Sequence, residues 1–109
     1  MNEQDRINTF SLAAHRVAIA RLREDPERLA EARGVLQRWR SQAVDPAHCV
    51  PYWDEWDALL RSGVDAVEQA VCFDGDHAAT LRSVSPLGRF VPAAERHRLL
   101  RQAREAHAA

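Results

Sequence analysis

In this 109-residue chain, oxygen and nitrogen donors crowd together at one place, the run Asp74-x-Asp76-His77. Two carboxylates and an imidazole so close in sequence could ligate a divalent metal, but a closed site needs three or four converging ligands. The same run suits a turn followed by a helix N-cap at Asp76, and capping is the expected use. The five histidines, His15, His48, His77, His97 and His107, contain no pair at the i, i+4 spacing that sets two imidazoles on one helical face. No metal or other cofactor is therefore expected. His48 directly precedes Cys49, yet neighbouring side chains point apart, and nucleophilic catalysis needs a base held beside the nucleophile and a third group to orient it. Asp54, Glu55 and Asp57 interleave with Tyr52, Trp53 and Trp56 as the wet face of an amphipathic helix does. Four glycines leave no phosphate-cradling loop. These spacings point to a non-enzymatic protein.

Binding residues are easier to nominate. Three tryptophans are a heavy load for so short a chain, and Trp53 and Trp56 fall on one helical face. Tryptophan serves both cores and the centres of interfaces, so both uses stay open. The segment 81–92 mixes Arg82 and Arg89 with Ser85, Pro86, Leu87 and Phe90, an arginine-plus-apolar blend common at interfaces. Trp53, Trp56, Arg82, Ser85, Pro86, Leu87, Arg89 and Phe90 form the candidate partner-binding set. Residues 64–72 and 76–83 also have the lengths and the short glycine-containing turn of a helix-turn-helix, although the second carries Arg82 without further base-reading side chains.

Helices must position these residues. Over 5–23, Ile7, Phe10, Ala14 and Val17 recur at spacings of 3, 4 and 3, while Leu12, Ile19 and Leu22 lie off that stripe and predict contact with a second surface. Asp25-Pro26-Glu27 is a strong helix start, followed by Leu29, Ala32, Leu36 and Trp39 on one face. Together, 1–42 reads as an antiparallel helical hairpin, with Gly34 offering a close helix approach. A connector follows, with a second start signal at Asp45-Pro46. The block 51–83 holds a tryptophan helix closed by Ser62-Gly63 and two short helices, the first turning Val64, Val67 and Val71 inward. Residues 84–91 form a loop, and 92–107 a last helix opened by Pro92, with Leu99, Leu100 and Ala103 inward. The expected fold is all-α, a single domain over 1–109 arranged as a compact bundle of five to six helices.

Composition limits the partners. All 15 basic residues are arginine, and the net charge is −1. Residues 1–42 hold eight Arg against six acids, 43–90 three against eight, and 91–109 four against two. An acidic centre with mildly basic ends is a weak footprint for nucleic acid, whose binders draw most of their affinity from phosphate neutralisation. No apolar run approaches the roughly 20 residues that span a bilayer. The polar N-terminus is unlike a secretory signal, and Cys49 and Cys72 form neither a metal knuckle nor a disulfide framework. A cytoplasmic protein that does not enter membranes is expected.

The order of His15-Arg16, the Asp25-Pro26 helix ending at Trp39, the Trp56, Leu59, Leu60 helix, then Leu81-Arg82-x-x-Ser85-Pro86 and Pro92-Ala93-x-Glu95-Arg96, resembles small all-helical bacterial antitoxins of type II toxin–antitoxin pairs. The resemblance implies a protein that binds and neutralises a cognate protein toxin, often as a homo-oligomer, and sometimes contacts its own operator DNA.

Overall fold

The computed structural model describes residues 3–44 and 48–107. Among them are six α-helices and no strand: α1 (Glu3–Glu24), α2 (Leu29–Gln42), α3 (Val50–Ser62), α4 (Val64–Val71), α5 (Asp76–Ser83) and α6 (Ala93–Ala106). Single 3-10 turns at Pro26–Arg28 and Gly88–Phe90 complete the regular structure of the described residues. The all-α bundle is thus as expected. The helix start signal at Asp45-Pro46 lies outside the described residues.

Helix boundaries follow local chemistry, with some differences from expectation. Asp25 precedes the second helical segment, but its side chain caps nothing. Its carbonyl instead accepts from Arg28 N at 3.1 Å and closes the 3-10 turn that leads into α2. Gly75, not Asp76, occupies the cap position of α5, so Asp76 is a first-turn acid that complements the positive helix end. Gly63 ends α3 with φ +115, a backbone region that side-chain-bearing residues avoid, and its N–H returns to Leu59 O at 3.1 Å. The same residue starts α4, so α3 and α4 meet without a linker.

α1 is the hub, packing against α4, α5, α6 and the Gly88–Phe90 turn. Its buried stripe is His15, Ala18, Ile19 and Leu22, at i, i+3, i+4 and i+7. Ile19 and Leu22, which sequence periodicity places off the main stripe, are therefore at its centre, and the second surface they meet belongs to the same chain. Ile7 is 50% exposed, and Phe10, Ala14 and Val17 are only partly buried. α2 packs chiefly against α3 rather than folding back along α1, so the chain turns at Asp25 without the close α1–α2 pairing of a hairpin. Gly34 meets no atom within 4 Å of an added Cβ, and so supports no close approach. On α6, Leu99 and Ala103 are buried, while Leu100 is 39% exposed. One continuous core joins these elements around Trp56, which is wholly buried.

Candidate functional site

The tertiary structure separates the eight candidate binding residues. Trp56 is 0% exposed, and its Nε1–H donates to Leu81 O at 2.9 Å, tying α3 to α5. Trp53 is also buried, with the Arg40 guanidinium 5.9 Å from its ring. Pro86, Leu87 and Phe90 turn into the core, because a loop joining two helices over the middle of α1 can bury apolar side chains that would otherwise face water. Core packing, one of the two uses open to the tryptophans, is where both lie. Arg89 is the exposed member of the set, 3.5 Å from Glu31. Arg28 also holds Glu31, at 3.1 Å, and stacks 4.7 Å over the Phe90 ring. The Arg28 guanidinium, with Arg89 behind it, keeps the Glu31 carboxyl below its ordinary range. The loop is clamped to the start of α2.

Arg82 departs furthest from an interface role. Only 5% exposed, it donates from Nη1 to Val71 O at 2.7 Å and to Phe73 O at 2.8 Å, taking up carbonyls at the C-terminal end of α4. Its Nε is buried without an acceptor, and no carboxylate among the described residues lies within ion-pair distance. Burial lowers its affinity for a proton, an effect that the nearby Asp74 charge opposes. Since Arg82 is the only basic side chain on α5 besides His77, a groove-reading role for that helix loses its arginine. Its outer face presents Asp76, His77 and Ser83. His77 Nε2 sits 2.8 Å from Glu55 Oε2, an inter-helix pairing of α5 with α3. No group of three His, Cys, Asp or Glu side chains among the described residues is arranged to hold a metal ion.

Ser85, Arg82 and Leu87 do come together, around a pocket whose far wall is α1. This half-open cavity of about 160 Å³ is floored by apolar side chains, among them Phe10, Ala14 and Ala18. Among the described residues its polar lining is Ser11, His15, Arg82, Ser85 and Arg96, without a carboxylate. Ser85 Oγ accepts from Leu87 N at 3.1 Å, which leaves its O–H free to donate. Arg96 Nη2 donates to Gly88 O at 3.0 Å across the rim. His15 is 8% exposed; its Nδ1 lies 2.7 Å from Ser11 O and so carries the proton, leaving the Nε2 lone pair buried without a donor. Burial, helped by the Arg82 charge, lowers the His15 pKa below its ordinary 6.5. Sequence reasoning missed His15 and Arg96. The signal for His15 was its place on the ladder 15, 18, 19, 22; nothing local marks Arg96.

A second concavity shares Phe10 and runs between α1 and α6, with Ile7, Leu100 and Ala103 at its base and Glu3, Arg6 and Arg104 at its edges. Arg104 at its edge, and Arg98 and Arg101 elsewhere on α6, are exposed and have no carboxylate partner among the described residues. Elsewhere the arginines are mostly matched: Arg21 with Glu95, Arg23 with Asp65 and Glu68, Arg40 with Asp54, and Arg61 with Asp57. The thiols do not extend the chemistry. Cys49 and Cys72 are free and half-buried, and burial pushes the Cys72 thiol up, away from the nucleophilic thiolate.

Compared with protein-family models, with curated proteins and with solved structures, the chain finds no match in any of the three. No helix among the described residues is long and apolar enough to cross a membrane.

Proposed function

We propose that this chain is a non-enzymatic, antitoxin-like protein of the cytoplasm that binds and neutralises a protein toxin through the α1–α6 face. The observation that carries this reading is the groove that sets exposed Ile7 and Leu100 beside Arg104, which like Arg98 and Arg101 of α6 has no carboxylate partner among the described residues. Exposed apolar side chains rimmed by Arg6 and Arg104 as well as Glu3 suit a partner surface that is apolar at its centre and charged around it. The interface moves from Trp53, Trp56 and the 81–92 set to Ile7, Leu100 and Arg104.

Co-expression with the product of the adjacent gene tests the idea. That product should arrest growth alone, be silenced by this chain and co-purify with it. Ile7→Asp and Leu100→Asp should each weaken the complex by about ten- to a hundredfold, since an apolar contact becomes a buried charge. An adjacent product that is harmless alone, or that fails to co-purify, refutes the reading. Operator DNA is the second reading, favoured by the same unmatched arginines. Three phosphate contacts would give log K a slope of about −2.7 against log salt, and no retardation of upstream DNA at about 50 mM salt removes it.

A further inference from the structure

Arg82 is a buried cation whose charge has no ion-pair partner among the described residues, and it lines a cavity that also holds His15, Arg96 and two serine hydroxyls, with no carboxylate among the described lining residues. Capping the end of α4 accounts for its Nη1 alone. It leaves the Nε without an acceptor. Burying a guanidinium is costly unless a counter-charge accompanies it, and a planar carboxylate matches the guanidinium fork. About 160 Å³ is the size of space that holds a benzene ring in a protein interior. Its floor of Phe10, Ala14 and Leu87 asks for an apolar body that inorganic phosphate lacks.

We propose that the pocket between α1 and the loop 84–91 binds a small monocarboxylic acid, its carboxylate against Arg82, Arg96 and the Ser85 hydroxyl, its short apolar body against Phe10, Ala14 and Leu87. The ligand belongs to the class of branched aliphatic or single-ring aromatic acids. This site shares only Phe10 with the Ile7–Leu100 groove and does not depend on the toxin reading.

The test is an amide-shift titration of the full chain with benzoate and 3-methylbutanoate, with benzamide and inorganic phosphate as controls. Both acids should give saturable shifts confined to residues near 11–18 and 82–91, with benzamide roughly tenfold weaker because it loses the charge-assisted pair. Arg96→Gln, at an exposed position where folding is not at stake, should weaken benzoate several-fold. Ala14→Leu should fill the pocket and abolish binding while the helical spectrum is unchanged, whereas Ile7→Asp should leave benzoate binding as it was. Equal binding of benzamide and benzoate, tighter binding of phosphate than of either acid, or no saturable shift at about 10 mM, above millimolar affinities, overturns the proposal.

Discussion

Replacing Trp56 by phenylalanine separates a core tryptophan from an interface one. The indole is 0% exposed, so truncating it leaves a hole that the surrounding helices can close only in part. Phenylalanine is smaller by roughly 40 Å³, which at about 24 cal/mol per Å³ costs about 1 kcal/mol, and the lost transfer energy adds about 1 kcal/mol. The substitution also deletes the Nε1–H bond to Leu81 O. That carbonyl keeps the Val84 N–H at 3.2 Å, so it is not orphaned and the loss is about 1 kcal/mol rather than the larger cost of an unpaired group. The total is about 3 kcal/mol. Urea unfolding followed by circular dichroism should show a lower midpoint with an unchanged m-value, and partner binding by the folded fraction should be unaltered. A loss below about 1 kcal/mol, within the range of an ordinary surface change, would refute the placement of Trp56 at the core's centre.

His15 predicts an acid-sensitive fold. Its pKa is lowered on folding, so below about 6.5 the unfolded chain binds a proton that the folded chain refuses, and stability falls as pH drops from there toward the folded value. The slope approaches about 1.4 kcal/mol per pH unit in that window, and the difference between unfolding at about pH 7.5 and about pH 5.5 should shrink in His15→Gln. Two glycines predict opposite signs. Gly34→Ala adds a methyl group into open space within α2 and should stabilise by about 0.5–1 kcal/mol. Gly63→Ala forces a side chain to φ +115 and should cost about 1–3 kcal/mol, read as opposite shifts in Tm.

The sequence by itself determined the helices and their breaks. Spacings of 3 and 4, a proline before α2 and α6 and in the first turn of α3, and Gly63 are local signals, because a helix is closed by bonds between residues four apart. They located α3, α4, α5 and α6 to within about a residue or two. Which face each helix turns inward was legible only where one stripe dominated, as for Val67 and Val71 on α4. α1 defeated that reading because it is surrounded: with α4, α5 and α6 packed about it, an apolar residue on almost any side finds cover, and burial no longer follows one stripe. The pairing of α2 with α3 rather than α1 was decided by how distant apolar faces fit, which periodicity along one helix does not encode. The same holds for the site. An arginine at 82 has the same local sequence whether it reads a partner or caps a neighbouring helix. Only the approach of α4 and α6 turned it inward, buried its charge beside His15, and built a pocket from residues 10 to 96.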